Sequence, residues 1–418
     1  HSSQLAQDGV GPPPTGSADR FSQGNPSASQ VTAPTQNHAF PSRSSVYESS
    51  RLQTVQQGLL ARGFSVQSAN NISHKNRHSS DACYEKYWAR YIHWCKTRSL
   101  HPLTTSVTLL ADFLSDLIAT KQFVPSTIDC IKSCILSTIR FCTGIDYSGD
   151  SDLAAITSKY HKDCPASVFQ VPDWNLILVL EMLCKKPFEP LHSCSMKMLT
   201  FKCVFLVSVA CSCRVSELHG LSFAKFALKS DWSEVYLQPG SDFLAKNQSS
   251  RDPSLTRQFT LKALVKPKRK LTFTKGSFEE ALYHKNKLLC PVRALRIYLA
   301  RTASIRYQRK CLFLSLQPNR TSDITKASIA NWVRRTIKLC YALAGDNTAN
   351  LGRASVHHIR AITASIKFER NIALSSILKS CTWKSSHVFV KHYLKDVYVT
   401  SNDLYRLPPV CLGQTVFS

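Results

Sequence analysis

The chain contains few acidic residues and no long apolar run. Its 418 residues include 27 Asp and Glu against 53 Lys and Arg, a formal net charge of +26. No segment approaches the roughly 18 uninterrupted apolar residues of a membrane span, and the N-terminal stretch lacks the apolar core of a secretory signal. We therefore expect an intracellular protein that does not enter a membrane and has a polyanion, with nucleic acid as the first candidate, as its partner.

The cysteines do not have the spacing of a metal site. Sixteen are scattered along the chain without the paired C-x-x-C pattern of structural zinc sites. Cys211 and Cys213 come closest, and in a reducing compartment they are expected to be small core residues. No metal site is predicted.

Composition divides the chain into a polar start and a structured remainder. Residues 1–48 are rich in Ser, Pro, Gly, Gln and Asn and are predicted to be a disordered linker. Residues 49–166 are predicted to form a helical domain, because apolar residues recur at spacings of three and four. Its predicted helices cover 52–60, 84–95, 107–117, 128–141 and 153–160. The aromatic stripe at 84–94 is expected to be core rather than a base-stacking platform.

The second half is predicted to be a larger domain over 167–408, followed by a tail at 409–418. Helices are expected at 176–183, 196–209, 215–221, 291–301 and 328–340, with another leading through 353–360. A β-hairpin is predicted between them, with strands at 235–238 and 243–246 around a turn at 239–242.

A basic and aromatic set in this second half points to one chemistry. The set consists of Arg214, His357, Arg360, Trp383 and Tyr393. Two guanidinium groups can hold the oxygens of a phosphodiester as charge grows on them, and an imidazole and an indole N–H can add hydrogen bonds. A phenol can attack the phosphorus to form a covalent intermediate. This chemistry needs neither a metal nor a hydrolytic water.

Each residue also has an ordinary structural interpretation. Tyr393 could be a core aromatic in an amphipathic helix. His357 and Arg360, three residues apart, could be a solvated pair on one helix face. Arg214 could be the ion-pair partner of Glu217, one helical turn later.

The order and context of the set resemble a known family. Ala-Cys-Ser-Cys-Arg-Val-Ser-Glu-Leu at 210–218 is similar to the first arginine box of the tyrosine recombinases, the phage integrase-like superfamily. Val-His-His-Ile-Arg-Ala at 356–361 is similar to the second box. Thr-Trp-Lys-Ser-Ser at 382–386, followed by His-Tyr-Leu-Lys-Asp-Val at 392–397, is similar to the third. Stretches at 174–176, 187–191, 243–246 and 289–295 resemble the recombinases of DIRS-type retrotransposons.

The resemblance implies a fold and an activity. The fold would be mainly α with a small β-hairpin or sheet, in two domains: a helical core-binding (SAM-like) DNA-binding domain at 49–166 and an α+β DNA breaking-rejoining catalytic domain at 167–408. The activity would be strand exchange through a covalent 3′-phosphotyrosine, used to integrate a retrotransposon. The implied partner is double-stranded DNA, bound by four protomers on two duplexes, without a cofactor. Integration in a eukaryotic cell implies a nuclear location, and the basic run at 266–270 resembles a nuclear-localisation signal.

The resemblance also implies roles for single residues. Arg214 and Arg360 would clamp the phosphate, His357 would be an acid/base or phosphate contact, and Tyr393 would be the nucleophile. Trp383 occupies a position that many relatives fill with His, and it can contribute packing and one N–H donor but cannot titrate. Tyr398 is the competing nucleophile.

The family also uses a hairpin lysine as general acid. We expect it to be Lys246, with Lys266, Lys268 and Lys270 as rivals. Two other functions stay open: a transposon-derived DNA-binding protein that no longer cuts, and a type IB topoisomerase-like enzyme that shares the nucleophile.

Overall fold

The computed structural model describes residues 42–165, 174–245, 248, 257–265, 272–306, 309–315, 317, 323–346, 351, 354–381, 383, 385–394 and 409–411. Within these residues the protein is mainly helical with one small antiparallel sheet. The chain divides into two compact units, His1–Ala166 and Ser167–Ser418. None of the helices in the described ranges is both long and apolar enough to cross a lipid bilayer.

The N-terminal unit is a helical bundle. Polar capping residues and a proline start the helices. Ser50 and Gln53 form a capping box before the helix Arg51–Ala61, Ser106 caps the helix Val107–Ala119, and Pro125 occupies the first turn of the helix Pro125–Thr143. The helices are α1 Arg43–Glu48, α2 Arg51–Ala61, α3 Val66–Ser73, α4 His78–Thr97, α5 Val107–Ala119, α6 Pro125–Thr143 and α7 Ser151–Asp163.

The start of this bundle corrects one predicted boundary. Helix α1 lies inside the stretch predicted to be linker up to residue 48, and its Val46 is fully buried. Ser42 accepts a hydrogen bond from the Ser45 N–H, so a cap that composition alone does not reveal starts the helix. The rest of the predicted linker, residues 1–41, lies outside the described residues.

The aromatic stripe of α4 is core, as expected. Trp88 and Tyr91 are 1% exposed. The rings of Tyr91 and of Phe113 in α5 pack edge to face, with their centroids 5.1 Å apart. Helices α2 and α6 approach closely because Gly58 has no Cβ; one built there would lie 2.5 Å from the Cys142 backbone. The bundle therefore has its own apolar core.

The C-terminal unit is built around one buried helix. Its helices are α8 Leu176–Met182, α9 Met196–Cys211, α10 Val215–Gly220, α11 Phe278–Leu288, α12 Pro291–Arg301, α13 Lys326–Ala344, α14 Val356–Glu369, α15 Leu374–Cys381 and α16 Ser386–His392. Helix α9 is buried on nearly every side and packs against α12, α13 and α14. An apolar run without a polar stripe is what a central helix requires.

The sheet differs from the predicted hairpin. Strands β1 Ala227–Leu228, β2 Glu234–Leu237 and β3 Phe259–Lys262 pair antiparallel in the order β1-β2-β3. The predicted return strand at 243–246 is wrong over 243–245, which contain no strand. The Phe243 ring instead packs against Gly220 at the end of α10, where a Cβ would lie 2.5 Å from the ring. The edge of β2 at which the return strand was predicted pairs instead with β3.

The end of the described chain also corrects a prediction. Pro409–Cys411 forms a short 3-10 turn that packs against α9 and α14, and the side chains of Val410 and Cys411 are fully buried. These three residues belong to the core of the C-terminal unit and not to a separate tail. These residues join the core because packing against α9 removes the apolar side chains of Val410 and Cys411 from contact with water.

Candidate functional site

The end of α9 directs the chain into the candidate site. Its C-cap, Ser212, has φ 47° and ψ 40°, a left-handed conformation that turns the backbone sharply. Two residues later Arg214 is the N-cap of α10. The predicted first arginine therefore stands at a turn between two helices.

Glu217 gathers three arginines. Its carboxylate lies 3.1 Å from Arg214 Nη1, 3.7 Å from Arg360 Nη1 and 3.8 Å from Arg257 Nη1. The backbone N–H of Arg214 also donates to Glu217 at 2.6 Å. We call these four residues the arginine cluster. The ordinary interpretation of Arg214 as a partner of Glu217 is thus correct, but the same carboxylate also holds the second predicted arginine.

Arg360 is fully buried on α14. Its Nη1 donates to the Ser212 carbonyl at 2.8 Å and its Nη2 donates to the Cys381 carbonyl. Its Nε is buried without a hydrogen-bond partner among the described residues. The guanidinium therefore ties α14 to the end of α9 and to the end of α15, and it keeps one further N–H that could donate to a ligand.

Two aromatic rings lie over this guanidinium. The Arg360 carbon Cζ is 4.9 Å from the Trp383 ring centre and 5.7 Å from the Tyr393 ring centre. The two rings are 4.4 Å apart, and Trp383 also stacks on the buried Phe389 at 5.3 Å. Cation–π attraction and aromatic packing together hold the tyrosine beside the arginine.

Tyr393 is positioned by the end of α16. It is the C-cap of that helix, and its N–H donates to the Phe389 carbonyl at 2.8 Å. Ser365 of α14 donates to the Tyr393 carbonyl at 3.2 Å. The ring is half-buried. Backbone contacts on two sides thus place the phenol near the arginine cluster.

The cluster carries excess positive charge in a poorly hydrated place. Arg214 is 9% exposed, Arg360 is 0% exposed, and three guanidinium groups face one carboxylate. Burial lowers the pKa of Arg360, and the nearby Arg214 charge lowers it further while Glu217 opposes the shift. Arginine still stays charged at neutral pH, so the cluster has a formal excess of two positive charges. An anion would relieve that excess.

A buried lysine stands behind the cluster. Lys367 of α14 is 8% exposed, and its Nζ donates to Ser212 Oγ at 3.2 Å. Burial lowers its pKa, and the positive charge of Arg257 lowers it further. Arg257 in turn donates to the Cys211 carbonyl at 3.1 Å. Cations thus cover the carbonyl end of α9, the end that favours positive charge.

The structure brings together some of the predicted residues. Arg214, Arg360, Trp383 and Tyr393 lie in one group. His357 is on the first turn of α14 with an exposed side chain, and its role stays a prediction. The remaining candidates, Lys246, Lys266, Lys268, Lys270 and Tyr398, lie outside the described residues.

Arg257 and Lys367 are members of the site that the motifs do not reveal. Arg257 precedes β3 and reaches Glu217 through the pairing of β3 with β2. Lys367 lies seven residues after Arg360, two helical turns along the same face. That spacing was the available signal, because a lysine on the buried face of a helix needs a polar partner.

Other features of the described part of the chain lie apart from this site. No group of three or more His, Cys, Asp or Glu side chains there is placed to hold a metal ion. A cavity of about 430 Å³ lies among α11, α12 and the residues that follow β3, and Trp232, Tyr283 and Arg296 are among the residues that line it. Its lining includes none of the predicted site residues.

Comparisons with known proteins show a likeness among solved structures. No family model and no curated protein matches the chain. Among solved structures, the chain is similar to the crystal structure of XerA recombinase, with a TM-score of 0.34 and 11% sequence identity over 85% of this chain and 97% of that one.

Proposed function

We propose that this chain is a DNA strand-exchange enzyme of the tyrosine recombinase kind, which cuts and rejoins DNA through a covalent 3′-phosphotyrosine. The observation that carries the proposal is the arginine cluster with its aromatic cover. Three guanidinium groups surround one carboxylate, and the phenol of Tyr393 lies 5.7 Å, ring centre to Cζ, from Arg360. Excess buried positive charge beside a phenol suits attack on a phosphodiester.

The proposed reaction is a balanced exchange of oxygen atoms on phosphorus. Tyr393 Oη attacks, a bond forms between that oxygen and phosphorus, and the bond from phosphorus to the DNA O5′ breaks. The phenol gives up its proton and the leaving O5′ takes one, which we assign to Lys246. Attack by a partner strand's 5′ hydroxyl reverses these steps and restores the phenol. The number of phosphodiester bonds is unchanged, so the exchange consumes no external energy source.

The cluster would act on the charge of the five-coordinate phosphorus. Arg214 and Arg360 would hold the non-bridging oxygens, and the Nε1–H of Trp383, which has no partner among the described residues, is a further donor beside them. His357 would hold a phosphate oxygen or move the phenol proton. Fixed donors that need no reorganisation are worth most at the transition state.

The partner is proposed to be double-stranded DNA. A formal charge of +26 gives the chain strong, sequence-independent attraction to a duplex. The N-terminal unit would clamp one side of the DNA and the C-terminal unit would hold the scissile phosphate. On the resemblance to DIRS-type elements, the reaction would integrate a retrotransposon in the nucleus, with four protomers on two duplexes.

A suicide-substrate assay tests this function. Purified protein is mixed with nicked duplexes of mixed sequence, and a denaturing gel with peptide mapping detects covalent adducts. We expect an adduct on Tyr393 and none with Tyr393→Phe, whose DNA affinity should stay within about threefold because a single oxygen is removed. An adduct that persists in Tyr393→Phe would transfer the role to Tyr398.

One observation favours a second function. Both terminal nitrogens of Arg360 donate to backbone carbonyls of the protein, and the side chain is fully buried. A protein that binds DNA without cutting it would have this arrangement permanently. Such a protein would give no adduct with any substrate while keeping salt-sensitive DNA binding.

A further inference from the structure

Three side chains of α14 converge on Ser212. Arg360 Nη1 donates to its carbonyl at 2.8 Å, Lys367 Nζ donates to its Oγ at 3.2 Å, and Thr363 Oγ1 lies 2.9 Å from the same Oγ. These residues are spaced at three and four along one helix face. Ser212 itself is fully buried.

Ser212 has a backbone that serine rarely adopts. Its φ of 47° lies in the left-handed region, which is unfavourable for a residue with a Cβ and persists where the surroundings enforce it. The conformation decides the direction in which the chain leaves α9. Since Arg214 comes two residues later, the same conformation sets the direction from which the Arg214 backbone enters α10.

Lys367 buries an amino group at a cost in free energy that packing alone would not require. It is 8% exposed, burial lowers its pKa, and the positively charged Arg257 is among the groups that face it. Electrostatic interaction with Cys381, Cys211 and Cys411 opposes this lowering of the Lys367 pKa. An apolar side chain would fill this space without the cost of burying a charge. Its hydrogen bond to Ser212 is the specific contact that a lysine adds.

We propose that Lys367 is a positioning residue that holds Ser212 in its left-handed conformation and so sets Arg214 in register with Arg360. Arg360 and Lys367 grip the same residue from one helix, one through the carbonyl and one through the hydroxyl. The two arginines then keep a fixed separation as a phosphate enters between them. This inference rests on the proposed DNA cleavage for its effect on rate, while its structural part can be measured without cleavage.

The experiment compares Lys367→Met with a matched control, Lys202→Met. Lys202 is also fully buried in the C-terminal unit, but it bonds to the Leu183 carbonyl and to Glu189 away from the arginine cluster. Both changes remove a buried ammonium. The first readout is the single-turnover cleavage rate at saturating suicide substrate, measured together with the affinity for DNA. The second is hydrogen–deuterium exchange of the 210–218 peptide without DNA.

We expect Lys367→Met to lower the cleavage rate about tenfold or more, because a misplaced clamp loses alignment in the transition state. Its DNA affinity should stay within about threefold, and exchange at 210–218 should become faster. Lys202→Met should leave the cleavage rate at the wild-type level; the faster exchange that follows from its broken ion pair with Glu189 should extend over the C-terminal unit and not concentrate at 210–218. Thr363→Val removes the second side-chain contact of Ser212 Oγ and should shift both readouts in the same direction as Lys367→Met, so it tests how Ser212 is held in the case in which Lys367→Met does not fold.

Ser212→Gly provides the decisive combination. Glycine adopts φ 47° without a Cβ penalty, so a chain that carries the Ser212→Gly change needs the lysine less. In that background Lys367→Met should cost less than about threefold in rate, a non-additivity expected of residues in direct contact. Full additivity would overturn the proposal, as would a slower rate without faster exchange at 210–218.

The outcomes separate this inference from the proposed function. If wild-type protein forms no covalent adduct on Tyr393 or on Tyr398, the proposed cleavage is overturned. The exchange measurement then decides alone whether Lys367 holds the segment that carries Arg214. Unchanged exchange in both Lys367→Met and Thr363→Val would overturn that structural role.

Discussion

Replacing Glu217 with glutamine would remove the negative charge at the centre of the arginine cluster and keep the shape of the side chain. The carboxylate is 3% exposed and lies 3.1, 3.7 and 3.8 Å from three guanidinium nitrogens. Breaking a buried charge pair from one side costs about 3–5 kcal/mol, because the remaining charges are left without compensation. The glutamine oxygen can still accept from the Arg214 N–H, so we expect about 3 kcal/mol lost from the free energy of unfolding.

The charge balance gives this prediction a second observable. Glu217→Gln raises the formal excess of the cluster from two positive charges to three. An anion that binds the folded cluster stabilises it by mass action, and it should bind the variant more tightly. Urea unfolding followed by tryptophan fluorescence, with and without a short duplex, measures both effects. The variant should gain more stability from the duplex than the wild type does.

Glu189→Gln is the matched control. Glu189 is also a largely buried carboxylate in the C-terminal unit, and it bridges Lys202 at 2.5 Å and Arg293 at 2.8 Å. Its replacement should destabilise the unit by a similar amount without changing the response to DNA. The reasoning fails if Glu217→Gln unfolds within about 0.5 kcal/mol of the wild type, the range of an ordinary surface substitution, or if both variants gain equally from the duplex.

Two further predictions use the same site. Trp383→Phe keeps a ring between Phe389 and Tyr393 but removes an N–H that has no partner among the described residues. The free energy of unfolding should therefore change little, while the single-turnover cleavage rate should fall about 10²-fold. An unchanged rate would exclude Trp383 as a hydrogen-bond donor to the phosphate. For Lys367, burial holds the folded-state pKa below its ordinary value of 10.5, so the unfolded chain binds more protons between those two values. The free energy of unfolding should therefore rise with pH across that window more steeply in wild type than in Lys367→Met, and parallel curves from urea titrations between about pH 7 and pH 10 would contradict the assignment.

Local patterns predicted the helices well. The segment predicted at 291–301 coincides with α12 Pro291–Arg301, because Pro291 starts it and apolar residues repeat along it. The apolar run at 196–209 became α9, with the end two residues later. Helices α3, α11 and α15 lie outside the predicted segments. Ser277 caps α11, but among its described residues only Asn286 is buried, so an apolar face was not there to be recognised.

Pairing between distant segments could not be predicted. Strand β3 takes the edge of β2 that local turn signals assign to 243–246, and no spacing in the sequence distinguishes the two partners. Arg257 reaches Glu217 through that pairing, so it was missed for the same reason. The motifs supplied Arg214, Arg360, Trp383 and Tyr393, while the carboxylate that gathers the arginines and the lysine behind them emerge from packing.

The packing of Pro409–Cys411 has a consequence for the order in which the protein folds during its synthesis. Helix α9 ends at Cys211, but its surface is completed by side chains made about two hundred residues later. Domains fold as units while the ribosome adds roughly 5–20 residues per second, and long-range contacts form late. The N-terminal bundle can therefore fold during synthesis, whereas the core around α9 and α14, which positions the arginine cluster, waits until Cys411 has left the ribosome. Ribosome-bound chains that end before Pro409 should be readily digested by protease in their second half, and chains that have passed that point should become resistant.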